Sequence, residues 1–148
     1  MVRFKNRYFT AEIIPLDNGH TVQSLNLKTY DILKSVLAVT EQIHGEFGAA
    51  AIKNGLDVKY CNESTQIAII RCRHGPHRLL ASSLPFLSSI GKRKVQLQSM
   101  YTGATLVKCF KFLKKLHQEK MNEALKMCKT EEEKKKIFEI MSKTKYGL

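Results

Sequence analysis

Residues Leu56–Arg73 read LDVKYC, then NES, then TQIAIIRCR. Strand-forming residues stand on both sides of a short polar turn at Asn62-Glu-Ser64, so the stretch predicts a β-hairpin. The run Ile67–Ile70 is apolar at every position and needs cover on both faces. That places the second arm of the hairpin in the middle of a sheet. Upstream, Arg3–Ile14 predicts another strand, closed by the turn Pro15-Leu-Asp-Asn-Gly19. Between the two lies Asn26–His44, an amphipathic helix whose stripe is Leu27, Tyr30, Leu33, Leu37 and Ile43, with Val36 beside it. Ser24 or Asn26 suits its cap and Gly45 its end. A small apolar segment, Phe47–Ile52, then runs to a break at Gly55.

Downstream of the hairpin, Gly75-Pro76 suits a helix start, and His77–Ser89 predicts a helix kinked or ended near Pro85. Lys92–Tyr101 predicts a fourth strand. Thr105–Cys128 predicts a long helix with Leu106, Cys109, Phe110, Leu113, Leu116, Met121, Ala124, Leu125 and Cys128 on its apolar face. Thr130 with Glu133 matches a capping box and opens a last helix, Glu131–Met141. The order β-α-β-β-α-β followed by two helices is α+β. It is the ferredoxin-like order, shared by RRM-like folds: a four-stranded antiparallel sheet with two helices on one face. The expected organisation is one domain over 1–148, with 104–148 a helical C-terminal extension packed on it.

The first strand carries a conflict of parity. Arg3, Lys5 and Arg7 alternate in phase with Phe9, Ala11 and Ile13. Either the strand has a bulge, or its first half runs past the core.

The 148 residues hold 25 Lys and Arg against 13 Asp and Glu, a formal net charge of +12, and 43% are hydrophobic. Hydrophobicity at that level argues against a disordered chain. No apolar run is long enough to span a bilayer, and the charged opening Met1–Tyr8 does not suit a secretory signal. Cys61, Cys72, Cys109 and Cys128 form no CxxC pair and suit free thiols in a reducing compartment. A soluble, basic, intracellular protein is expected, with nucleic acid as its default partner. Cations exceed carboxylates in both Met1–Val107 and Lys108–Leu148, so the excess is not a basic tail.

Little suggests independent catalysis. Cys72, His74 and His77 lack a fourth zinc ligand. Nucleophile elbows, zincin motifs and phosphate-binding loops do not occur. Glu12, Asp17, Asp31, Glu41, Glu46, Asp57 and Glu63 are scattered, whereas a two-metal nuclease gathers its carboxylates. The strand Thr65–Arg73 has no aromatic residue, so it does not match the stacking strand of an RNA-recognition motif. Tyr60, Phe4 and Tyr8 remain as rings, with core packing expected for two of the three. The cations fall in ranks: Arg3, Lys5 and Arg7; Arg71 and Arg73; Lys92, Arg93 and Lys94. In the split βαβ arrangement the first and third strands are neighbours, and a suitable register brings the first two ranks together for phosphate contacts. Lys108, Lys111 and Lys115 share one side of the long helix, a face that suits simple solvation.

The opening Met1-Val-Arg-Phe-Lys-Asn-Arg-Tyr8 resembles that of the Pop-five family of protein subunits, shared by eukaryotic ribonuclease P and ribonuclease MRP (the Rpp14/Pop5 family, RRM-like). Further matches follow in order: His44-Gly-Glu-Phe-Gly-Ala-Ala-Ala51, Val58-Lys-Tyr60 with Asn62, Arg71-Cys-Arg73, Leu84-Pro-Phe86, and Gly103-Ala-Thr105 ahead of Cys109 and Lys111-Phe112-Leu113. The resemblance implies an RRM-like sandwich that is not an enzyme by itself. It implies a ribonucleoprotein of the nucleus and nucleolus that removes 5′ leaders from precursor tRNA and processes ribosomal precursor RNA. The implied partners are the catalytic RNA, a larger TIM-barrel-like subunit and other holoenzyme proteins, with no membrane. No cofactor is expected on this chain, and Mg2+ is expected on the catalytic RNA. On the match to the family's basic opening, Arg3, Lys5, Arg7 and Tyr8 are the expected RNA contacts. Arg71 and Arg73 support them, and Lys92, Arg93, Lys94 and Lys108 are added from the basic ranks and the long helix. Phe47, Gly48 and Ala49 match a small-residue segment suited to helix packing, and Gly103 and Thr105 to setting the start of the long helix. Some animal members end in a strongly acidic tail, whereas these residues end Ser142-Lys-Thr-Lys-Tyr-Gly-Leu148, so no acidic regulatory tail is expected. Two rivals stand beside this expectation: a protein-interaction scaffold with little RNA contact, and a stand-alone metal-dependent nuclease.

Overall fold

The hairpin forms as β2 (Asp57–Asn62) and β3 (Ile67–Arg73) in the computed structural model, which describes residues 2–16 and 27–143. Around it lie β1 (Asn6–Pro15), α1 (Thr29–Lys53), α2 (His77–Ser83), a 3-10 turn at Leu84–Phe86, β4 (Ser89–Ile90), β5 (Arg93–Gly103), α3 (Leu106–Met127) and α4 (Glu131–Lys143). The sheet order is β2-β3-β1-β5-β4, and every described pairing is antiparallel. This is the expected α+β order with one correction. A fifth strand, β4, pairs Ser89 and Ile90 with the start of β5. Two residues between turns are too few to show a period in the sequence.

Ile67, Ala68, Ile69 and Ile70 are all buried, as a central strand requires. Ala68, Ile70 and Cys72 join Phe9, Ala11 and Ile13 of β1, Val95 and Leu97 of β5, and Ile32, Val36, Val39 and Ile52 of α1 in one core cluster. The parity conflict in β1 resolves as the second alternative. Its ladder with β3 is unbroken from Asn6↔Arg73 to Glu12↔Ile67. Arg7 is half-buried, in phase with the core positions, and Val2–Lys5 run beyond the strand, exposed. An irregularity does occur on the other side, where Thr10 pairs Tyr101 and Ala11 pairs Ser99. Met100 is the extra residue of this bulge.

The buried face of α1 is rotated from the expected stripe. Ile32, Val36, Val39 and Thr40 face inward and Leu33 and Leu37 flank them, whereas Tyr30 is 70% exposed. Two apolar stripes lie side by side on this helix, and contact with the sheet selects the one carrying β-branched residues. Thr40 is accommodated because its hydroxyl donates to the Val36 carbonyl at 2.9 Å. Gly45 does end the first stretch, with φ +74, but the helix restarts and runs to Lys53. The candidate caps Ser24 and Asn26 lie outside the described residues, as does most of the Pro15–Gly19 turn.

The chain divides into two compact units, Met1–Cys109 and Phe110–Leu148. In the second unit Leu113 is buried and Leu116, Met121, Ala124 and Leu125 are half-buried, in line with the expected stripe of α3. The N-cap half of the expected capping box forms: the Glu133 backbone N–H donates to the Thr130 hydroxyl at 3.4 Å. No helix of the described residues is long and apolar enough to cross a membrane.

Candidate nucleic-acid interface

One end of the sheet gathers the cations. Antiparallel pairing puts the start of β1 beside the end of β3, with Arg7 opposite Cys72 and Tyr8 opposite Arg71. On its other side, Tyr8 lies opposite Gly103, where β5 ends. Lys108 follows within the first turn of α3, and its backbone N–H is capped by the Thr105 hydroxyl at 3.4 Å. The His74 N–H donates to the Lys5 carbonyl at 2.8 Å, which extends the ladder and pins the segment before β1. Arg3, Lys5 and Lys108 are exposed, and Arg7, Tyr8, Arg71 and Arg73 are half-buried.

The two β3 arginines do structural work. Arg71 donates from Nε to the Gly55 carbonyl at 3.2 Å. It also faces Asp57 across the β2 pair. The Lys59 ammonium, 2.6 Å from Asp57, hydrogen-bonds that carboxylate and holds its pKa below the usual range, with the charge of Arg71 adding to the pull. Arg73 lies under the Phe4 ring, with its guanidinium carbon 4.3 Å from the ring centroid. Phe4 is nevertheless 76% exposed, and Tyr8 and Tyr60 are half-buried outside the core cluster. The core role expected for two of these three rings is corrected accordingly.

The structure separates the third rank. Val95 pairs with Pro15 and Gly103 with Tyr8, so Lys92, Arg93 and Lys94 sit at the opposite end of the sheet. Eight residues of strand set the two ends about 26 Å apart. In their place the turn after β3 contributes His74, His77 and Arg78. The two imidazole rings stack with centroids 4.9 Å apart, and His77 Nδ1 accepts the Gly75 N–H at 2.9 Å. The sequence placed His74 and His77 at this strand-to-helix turn, where one suits a phosphate contact, but Arg78 was missed because no local signature marks a turn whose importance comes from the strand beside it. Burial, and then the charges of His74, Arg7 and Arg78, hold the His77 pKa below its ordinary value. The folded state therefore binds this proton less well than the unfolded chain. Stability from this group is complete above the unfolded value, about 6.5, and is lost as pH falls through the folded value. Chemical denaturation at a series of pH values is expected to show this shallow loss in the wild type, and His77→Gln to flatten it.

The thiols are structural. Cys72 and Cys109 are buried and Cys61 and Cys128 half-buried, all four free. Burial pushes the Cys72 pKa up to about 11 and raises those of Cys61 and Cys109. Such groups are poor nucleophiles near neutral pH. A cavity of about 300 Å³ between α1 and the Phe86–Gly91 segment holds one carboxylate, Asp31. Among the described residues, no three His, Cys, Asp or Glu side chains gather to hold a metal ion. The arrangement suits binding of an extended polyanion along the β1 and β3 ends.

Residues 7–114 match the model of the Rpp14/Pop5 family. The chain belongs to the Rpp14/Pop5 family. Relatives described as "Ribonuclease P/MRP protein subunit POP5" are similar over nearly the whole length. The one from Bos taurus is 31% identical over 97% of this chain and 85% of its own. The one from Homo sapiens is 32% identical over 93% and 85%, and that from Danio rerio 32% over 93% and 83%. Among solved structures, a chain of "Cryo-EM structure of yeast Ribonuclease MRP" shares the fold, with a TM-score of 0.51 at 13% identity. The similarity covers 86% of this chain and 99% of that one. As a member of the Rpp14/Pop5 family, the protein carries its family match from Arg7 through the whole sheet and into α3.

Proposed function

We propose that this protein is a subunit of ribonuclease P and ribonuclease MRP that binds RNA and performs no catalysis itself. It braces the catalytic RNA for 5′-leader removal from precursor tRNA and for processing of ribosomal precursor RNA. The carrying observation is the cationic sheet end, where Arg3, Lys5, Arg7, Arg71, Arg73 and Lys108 meet His74, His77 and Arg78. Family membership supplies the particle in which that end would act. Arg3, Lys5 and Lys108, being exposed, neutralise phosphates. Arg71 and Arg73 chiefly hold the α1–β2 connection at Gly55 in place. On this reading Mg2+ belongs to the RNA and the particle resides in the nucleus and nucleolus. A larger TIM-barrel-like subunit and other holoenzyme proteins dock beside the RNA.

The test is purification of the tagged protein from its native cells in mild salt, with sequencing of the RNA that accompanies it. One structured RNA is expected, together with precursor-tRNA cleavage that vanishes when that RNA is digested. Cleavage that survives digestion would overturn the reading in favour of a protein nuclease. A complete particle from which this chain makes no RNA crosslink would favour the scaffold instead.

A further inference from the structure

Phe4 is a large aromatic side chain, 76% exposed, in a segment that precedes β1. Its position is nevertheless fixed. The Lys5 carbonyl beside it is bound by the His74 N–H at 2.8 Å. One side of its ring is backed by the Arg73 guanidinium, whose carbon lies 4.3 Å from the centroid. Arg73 is itself seated on Gly55, where an added Cβ would come within 2.9 Å of Arg73 Cγ and 3.1 Å of Nε. Gly55 also has φ +92, a conformation that side-chain-bearing residues rarely adopt. Gly55, Arg73 and Phe4 thus form a column that ends in an exposed ring. Core packing does not account for it, since the ring is absent from the core cluster.

Two further observations suggest what the ring meets. Arg3 and Lys5, its neighbours in sequence, are both exposed cations. The strand TQIAIIRCR offers no aromatic residue of its own, although RRM-type sheets read unpaired bases by stacking them on aromatic side chains. We propose that Phe4, backed by Arg73 over Gly55, is a stacking platform for one unpaired nucleobase of a bound RNA, with Arg3 and Lys5 on the flanking phosphates. The proposal rests on the RNA-binding reading above and adds a base-contacting residue to it. Stacking tolerates any base, because every base has a π face.

The test uses the full chain and two probes: an oligouridylate of about twelve nucleotides, and an abasic oligomer with the same number of phosphates. The wild type is expected to prefer the oligouridylate by about 5- to 150-fold. Phe4→Ala should abolish the preference while leaving affinity for the abasic oligomer, and the salt dependence of binding, unchanged. Phe4→Tyr should keep the preference. Equal wild-type affinity for the two oligomers would overturn the platform. So would a Phe4→Ala variant that keeps the preference, which would assign the ring to a protein contact, or one that weakens both probes equally. A wild-type protein that binds neither oligomer in a salt-dependent manner would instead fail the RNA-binding reading itself.

Discussion

Replacing Arg3, Lys5 and Arg7 together by Gln is expected to lower the slope of log affinity against log salt by about 2 to 3, because each lost phosphate contact removes about 0.7 to 0.9. At about 0.1 M salt the affinity for the accompanying RNA should fall on the order of 100-fold, from about 1 kcal/mol for each charged contact. Arg3 and Lys5 are exposed, and the sole hydrogen bond described for the Arg7 side chain runs to the neighbouring Asn6 carbonyl at 3.0 Å. Their loss should therefore leave thermal stability nearly unchanged, as surface substitutions do. Titrations at several salt concentrations, paired with melting curves, check both halves. An unchanged slope would remove this end of the sheet from the interface. Lys92, Arg93 and Lys94, at the other end, offer the comparison. Their replacement should alter the slope independently, since sites that far apart do not couple.

Phe9→Ala should have the opposite profile. Phe9 is 2% exposed in β1, between Ile70 of β3 and Thr102 of β5. Its truncation removes buried ring surface and leaves a cavity flanked on both sides by hydrogen-bonded backbone that cannot collapse into it. The expected cost is about 3–5 kcal/mol, a large share of the stability of a domain of this size. The melting temperature should fall by about 6–20 °C. Below that temperature the cations of β1 are still held in place, so the salt slope should stay as in the wild type. A melting loss under about 1 kcal/mol would mean that β1 is not held from its core side as described.

The two variants also mark what could be read from the sequence. The central strand was legible because Ile67–Ile70 leaves no polar side, and the hairpin followed from the polar turn before it. Strand order made Arg7 a neighbour of the strand that carries Arg71 and Arg73, and the antiparallel register, which the sequence left open, brought them to the same end. The face of α1 did not, because Tyr30 and Ile32 lie on adjacent stripes of similar apolarity. The continuation of α1 past Gly45 was hidden as well. A glycine with positive φ ends one helix, but it does not prevent Glu46–Lys53, rich in alanine, from starting another. The grouping of Arg3, Lys5 and Arg7 with Arg71 and Arg73 was legible as charge, whereas the separation of Lys92, Arg93 and Lys94 and the exposure of the rings were not. Periodicity assigns a ring to a face, but whether that face is covered depends on neighbours distant in sequence. Phe4 is such a case, since its support comes from Arg73 and Gly55.

The sheet order bears on how the molecule comes into being. β1 is made first, yet its partners are β3, about sixty residues later, and β5, with Tyr8 meeting Gly103. Pairings between such distant segments are slow to form, because the loop must close before any contact is gained. On the ribosome, Arg3, Lys5 and Arg7 emerge before either strand that flanks β1: β3 arrives first, and β5 completes the other side only when Gly103 has been made. The cationic end is thus completed only after β5 has been added beside β1, and an RNA that requires its geometry meets it only on a chain whose β3-β1-β5 sheet has formed.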